Sequence, residues 1–179
     1  MCLLFTTMTF AAAAVEYKDL SPYLSVSFNV PATGTSNWIS FAPSLAAGAK
    51  HKIYDNLLQR IELEYSNFNL RRSNTQRTSN LGSDLWSEIN MYKFNYYLDY
   101  VASPYIKFYG GFGVGFAGVV DTDTFSNRHN IQPAFGISGG VWQEVPKVPG
   151  LIGQAGLRRI SILGTHNFWT WTAGLRYQF

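Results

Sequence analysis

The sequence predicts an all-β fold: a closed, antiparallel, up-and-down barrel of about eight strands that crosses a membrane. Three observations carry that expectation. First, the segment from Asn167 to Phe179 alternates strictly. Trp169, Trp171, Ala173, Leu175, Tyr177 and Phe179 share one face, and Thr170, Thr172, Gly174, Arg176 and Gln178 share the other. An apolar band with aromatics at both ends fits a strand whose apolar face meets lipid. Second, the same period of two recurs along the chain, between connections marked by polar residues, Pro or Gly. Third, the composition is 14% charged and 16% aromatic, with a mean hydropathy of −0.05. Such an average hides a barrel, because each lipid-facing residue alternates with a polar one. No run approaches the roughly 18 apolar residues of a membrane-spanning helix.

The segment Met1 to Ala14 is apolar, ends in a small-residue A-x-A pattern and is followed by Glu16, Lys18 and Asp19. This predicts a secretory signal peptide over residues 1–14, although no Lys or Arg precedes the apolar run. Residues 15–179 then form one domain, the barrel. Cys2, the only cysteine, falls in the leader, which excludes a disulfide and a cysteine-based metal site.

The strands follow in order. Leu24, Val26, Phe28 and Val30 alternate with Ser25, Ser27 and Asn29 in the first. The second opens at Trp38 and places Ile39, Phe41, Leu45, Ala47 and Ala49 outward. The third sends Ile61, Leu63 and Tyr65 outward, with Arg60, Glu62, Glu64 and Ser66 opposite. In the fourth, Tyr92, Phe94, Tyr96, Leu98 and Tyr100 alternate with Met91, Lys93, Asn95, Tyr97 and Asp99. The fifth sends Ile106, Phe108, Phe112, Val114 and Phe116 one way, and Lys107, Tyr109 and glycines the other. Ile131, Phe135, Ile137 and Val141 mark the sixth. The seventh, Leu151 to Ile162, is the least regular: Arg158 and Arg159 are adjacent, so one of them faces lipid or lies at a strand end. The eighth is the terminal strand.

The connections after strands one, three, five and seven are polar. They include a long loop, Asn69–Ser87, and a second, Asp121–Asn130. Those after strands two, four and six are short, at Tyr54–Leu57, Ala102–Pro104 and Glu144–Gly150. This asymmetry is expected of outer-membrane barrels and places both termini on the periplasmic side.

The inward face carries charges of both signs: Arg60, Glu62, Glu64, Lys93, Asp99, Lys107, Arg158 and Arg176. A small closed barrel has an interior just wide enough to be filled by side chains. Ions there must pair or be hydrated. Pairing would plug the lumen, with bulk from Tyr97, Tyr109 and Trp142; a narrow charged conduit is the other reading. The net charge of +3 is spread thinly, and its densest group, Arg71, Arg72 and Arg77, lacks interleaved aromatics. Nucleic acid is therefore not an expected partner. Those three arginines fit two roles: recognition of anionic phosphates or glycans from a loop, or anchoring at headgroup level.

The histidines, His51, His129 and His166, are dispersed and lack the spacing of a metal site or a nucleophilic triad. No cofactor and no enzymatic activity are expected. The alternatives are a soluble lipocalin-like carrier, with its faces reversed, and a small-barrel lipid-modifying enzyme.

Three stretches, Arg60–Ser66, Pro104–Gly115 and Ala173–Phe179, resemble the opacity-type and OmpX- and OmpA-like small outer-membrane barrel family. The resemblance implies a place in the outer membrane of a Gram-negative bacterium, porin-like in architecture. It implies a surface antigen, adhesin or envelope-structural role, with specificity in the loops. It implies contact with outer-membrane lipid and lipopolysaccharide, and with host surface ligands. It also implies that Leu175, Tyr177 and Phe179 form the signal read by the barrel-assembly machinery.

Overall fold

A computed structural model describes residues 20–32, 37–39, 42–72, 85–123, 126–163 and 166–179; the Met1–Ala14 leader lies outside the described residues. The strands are β1 (Leu20–Pro31), β2 (Asn37–Ile39), β3 (Ala42–Tyr54), β4 (Leu57–Arg72) and β5 (Leu85–Val101). They continue with β6 (Lys107–Asp123), β7 (Ser126–Glu144), β8 (Leu151–Ile162) and β9 (His166–Gln178). All neighbours pair antiparallel, and β1 closes on β9 from Tyr23↔Gln178 to Pro31↔Thr170. The short β2 continues, beside β4, the ladder that β3 makes with it, so nine strands build an eight-stranded closed barrel.

The side chains are sorted inside out. Leu63 is 66% exposed and Phe116 63%, whereas Glu64 is 4% exposed and Arg158 6%. A lipocalin-like carrier would need the reverse, and water could not solvate this outer surface without a large exposed apolar area. The outward apolar residues run from Tyr92 to Tyr100 on β5, Phe108 to Phe116 on β6 and Trp169 to Tyr177 on β9. Each run is about nine residues long, the length with which a tilted strand crosses a bilayer. The adjacent arginines of β8 resolve simply. Arg158 points inward and is buried, while Arg159 points outward and donates from Nε to Asn167 Oδ1 at 3.1 Å.

The two polar loops are shorter than the sequence predicts. Asn69–Arg72 belongs to β4 and Leu85–Ser87 to β5, paired up to Arg72↔Leu85. The Asp121–Asn130 segment is a hairpin in which β6 and β7 pair up to Asp123↔Ser126. Above the lipid both faces of a strand meet water, so polarity no longer distinguishes strand from loop. Strands β4 to β7 accordingly reach 16, 17, 17 and 19 residues, against 12 for β8 and 13 for β9. They stand above the belt as a ridge. On the opposite side, the β7–β8 turn contains Lys147 at φ 69° and Gly150 at φ 79°. Gly150 there accepts a backbone bond from Gln178 N at 2.8 Å.

Inside, long side chains lean over glycines of the neighbouring strand. Asn95 lies opposite Gly113, Tyr97 opposite Gly111 and Tyr109 opposite Gly140. A Cβ on Gly111 would collide with the Tyr97 ring, and one on Gly140 would come within 2.9 Å of the Tyr109 ring. Gly110, one residue away but facing out, has nothing within 4 Å of such a Cβ. Gly111→Val should therefore destabilise the barrel by about 1–3 kcal/mol through overpacking. Gly110→Val should leave it unchanged or firmer. Equal urea midpoints for the two variants in lipid would contradict this packing.

Candidate functional site

The lumen is stacked in layers along the barrel. In the middle layer, Arg60 and Asp99 form an ion pair, Nε to Oδ2, at 2.7 Å, with both groups buried. The Arg60 guanidinium also lies 4.4 Å from the centre of the Tyr97 ring, a cation–π contact. Glu62 accepts from Tyr23 Oη at 3.1 Å and Asn95 Nδ2 at 3.2 Å, with Arg60 Nη1 at 3.9 Å. Glu64 is the most heavily served carboxylate. It accepts from Arg158 Nη1, from Ser66 Oγ at 2.6 Å and from Asn95 Nδ2 at 2.7 Å, and Lys93 Nζ stands at 3.5 Å. Their adjacency follows from period two on β4 and β5, which aims Arg60, Glu62, Glu64, Lys93 and Asp99 at one another across a single ladder.

Arg176 sits differently. Its Nη2 donates to Gln154 Oε1 at 3.3 Å, and its guanidinium lies 4.9 Å from the Tyr23 ring and 5.0 Å from the Trp142 ring. Among the described residues no carboxylate oxygen comes within 4.0 Å of it. Lys107 lies at the turn-side mouth, paired with the exposed Glu144 at 2.8 Å.

Three features lie outside the charge network drawn from the sequence. Lys50, which the alternation of the second strand places opposite the outward Ala47 and Ala49, faces the lumen and donates to Gln178 Oε1 at 2.6 Å. A chain of neutral polar groups crosses the inner wall: Thr172 Oγ1 donates to Asn29, Asn29 Nδ2 to Ser44, Ser44 Oγ to Ser66 and Ser66 Oγ to Glu64. Small polar residues recurring at every second position were its only signal. The third is an apolar layer on the loop side, where Phe68, Ile89, Met91, Val119, Ile160 and Phe168 pack together. A smaller one on the turn side joins Leu58, Trp142 and Ile152. Among the polar groups of the middle layer a cavity of about 10 Å³ remains, room for about one water molecule.

The remaining sequence candidates lie outside the lumen. Leu175, Tyr177 and Phe179 are exposed on the outer face, and the Tyr177 and Phe179 rings meet edge to face at 5.3 Å. Arg71 and Arg72 lie in the raised end of β4, and Arg77 falls outside the described residues. The backbones of His129 and His166 belong to β7 and β9, away from His51 on β3.

No family model matches the chain, and no curated protein sequence matches it. Solved structures do. The N-terminal β-barrel domain of OprF from Pseudomonas aeruginosa superposes with a TM-score of 0.55 at 12% identity, over 89% of this chain and 97% of that one. A major outer membrane protein from Thermus thermophilus gives 0.52 at 14% identity, over 89% and 99%. Ail, the attachment invasion locus protein of Yersinia pestis, gives 0.50 at 13%, over 90% and 97%. At such identities the likeness establishes the fold, that of small outer-membrane barrels.

The geometry sets the order of charge substitutions. Glu64→Gln leaves Arg158 and Lys93 buried with their shared carboxylate gone, and should cost about 3–5 kcal/mol. Glu144→Gln, at a solvated mouth, should cost less than about 1 kcal/mol. Urea unfolding in lipid vesicles ranks the two; an equal effect would contradict the pairing described.

Proposed function

We propose that this chain is an outer-membrane protein of a Gram-negative bacterium, a surface antigen, adhesin or envelope element. Its filled barrel holds a β-ridge outside the membrane, with the termini on the periplasmic side. One observation carries the reading. The β7–β8 ladder begins only at Ala134↔Ile162, so residues 126–131 of β7 pair with β6 alone among the described residues. Among those residues, that leaves a row of backbone donors and acceptors unmatched on one side, above the lipid-facing belt.

A strand edge of this kind accepts an extended segment from another protein by β-addition, with backbone bonds giving affinity and alternate side chains giving selectivity. Ile131, 81% exposed on this edge, supplies an apolar contact. The same end of the barrel carries Arg71 and Arg72 on β4 and the connection that contains Arg77. These suit anionic groups, whether lipopolysaccharide phosphates or acidic host glycans. The exposed aromatic end of β9, with Leu175, Tyr177 and Phe179, is the surface offered to the barrel-assembly machinery. An enzymatic reading has less support, since the buried carboxylates are engaged by cations and amides and adjoin a space of only about 10 Å³.

Replacing residues 120–129 with an Asn-Gly turn, between the paired Val119 and Asn130, removes most of the free edge and leaves the belt intact. Cells displaying this variant should lose binding to host cells or extracellular matrix, while the barrel still shows heat-modifiable migration. Undiminished binding by a folded variant would remove the edge from the account and favour the envelope-structural role.

A further inference from the structure

We infer that the outer wall formed by β8 and β9 holds a phosphorylated lipid of the outer leaflet, with Arg159 on its phosphate and an acyl chain in the groove below. The inference rests on the orientation proposed above, with both termini periplasmic, and adds a binding site on the lipid-facing wall.

The outward pairs of the β8–β9 ladder give the depth of each position. From the hairpin downward they are Ser161↔Asn167, Arg159↔Trp169, Leu157↔Trp171, Ala155↔Ala173, Gly153↔Leu175 and Leu151↔Tyr177. The first pair is polar, and every pair from the third onward is apolar. Arg159 and Trp169 therefore stand at the loop-side edge of the belt, where headgroups begin. The outward residues of the Tyr92–Tyr100 and Phe108–Phe116 runs carry no charge, so a permanent cation on this wall needs a cause. A guanidinium at the edge of hydrocarbon is costly unless an anion or water meets it. Within the protein it meets neutral groups: its Nε donates to Asn167 Oδ1 at 3.1 Å, and it lies 5.9 Å from the centre of the Trp169 ring. Among the described residues no carboxylate oxygen lies within 4.0 Å of it. Asn167 thus takes Nε and leaves both Nη nitrogens for a phosphate, which a planar guanidinium binds through two parallel bonds.

The groove supplies the other half of the site. It begins just below Arg159 and Trp169 and holds about 500 Å³, with Gly139, Ala155 and Ala173 at its floor and Phe28, Leu157 and Trp171 around them. A second groove of about 960 Å³ shares Phe28, Ala155 and Ala173 and carries the trough on to Gly153 and Leu175 toward the turn side. A hydrocarbon chain lying there meets protein beneath it and on its flanks, and so gains dispersion contacts that a flat wall withholds. A cation above and an apolar trough below is the order of an amphiphile standing in a leaflet. Under the orientation proposed above this is the outer leaflet, and the occupant is its phosphorylated lipid, lipopolysaccharide.

The test uses the full chain inserted in phosphatidylcholine vesicles doped with lipopolysaccharide, then released in mild detergent for native mass spectrometry of the lipid it keeps. Heat-modifiable migration is checked first, so that a failed barrel is told apart from a failed site. Wild type should keep lipopolysaccharide, and Arg159→Gln should keep about tenfold less. Gly139→Leu with Ala155→Leu fills the trough and should also keep less. A Cβ at Gly139 meets only Tyr109 O, at 3.4 Å, so the barrel has room for that change. Dephosphorylated lipopolysaccharide should bind wild type no better than the phosphorylated form binds Arg159→Gln. Equal retention by wild type and either variant would overturn the inference. So would retention of phosphatidylglycerol at the level of lipopolysaccharide, which would make Arg159 a general headgroup anchor. Retention lost with Arg71→Gln and Arg72→Gln, but kept with Arg159→Gln, would overturn this site and leave the role proposed for the ridge standing.

Discussion

Backbone hydrogen bonding in lipid is the constraint from which the remaining features follow. An unpaired amide or carbonyl in hydrocarbon has no water to turn to, at a cost of several kcal/mol each. The ladder between β1 and β9, from Tyr23↔Gln178 to Pro31↔Thr170, removes the only edges the belt would otherwise expose. Closing after eight strands also fixes the diameter, leaving an interior that side chains just fill. The alternation within the belt then admits one assignment, with the apolar runs such as Tyr92 to Tyr100 out and the charges Arg60, Glu62, Glu64, Lys93 and Asp99 in. A one-residue slip in the β4–β5 ladder would turn Glu62 and Glu64, or else Lys93, toward lipid.

That narrow interior explains the division of labour between its walls. Strands β4 and β5 bring the long polar side chains, and β6 and β7 answer with glycines at the matching register. The arrangement is complementary in volume as well as in charge. Sandwiched between apolar layers, the ion pairs sit in a medium of low polarity, where a matched pair holds firmly and an unmatched charge is costly. Glu64, taking two cations, a hydroxyl and an amide, is the point at which the network is most interdependent. Loss of one group there exposes several others to the cost of isolation.

How much of this the sequence makes legible depends on where lipid and lumen impose opposite demands. Within the belt they do, and Tyr92 to Tyr100 or Trp169 to Tyr177 can be read residue by residue. Above the belt both faces meet water, so Asn69–Arg72 and Asp121–Asn130 read as loop while folding as strand. The apolar layers were hidden for the converse reason. Phe68, Ile89, Ile160 and Phe168 point inward, yet their chemistry is that of lipid-facing residues, and no period distinguishes the two. The lumen charges could be located by parity alone. Their partners could not, because pairing depends on ladder register, which brings Arg158 of β8 to Glu64 of β4 across the barrel. Arg158 and Arg159 show the limit well: adjacent in sequence, they face lumen and lipid, and only the register says which faces which.

The central claim is that each strand presents alternate residues to lipid and to a packed lumen. It is tested most directly by residue-by-residue lipid contact along β5 and β6. Single cysteines carrying a small fluorophore, placed from Tyr92 to Tyr100 and from Phe108 to Phe116, can be read in vesicles of brominated lipid. The account predicts strong quenching at the positions of Tyr92, Phe94, Phe112 and Val114, and weak quenching at those of Lys93 and Asn95. Quenching that is uniform along the strands, or that follows the opposite parity, would contradict it.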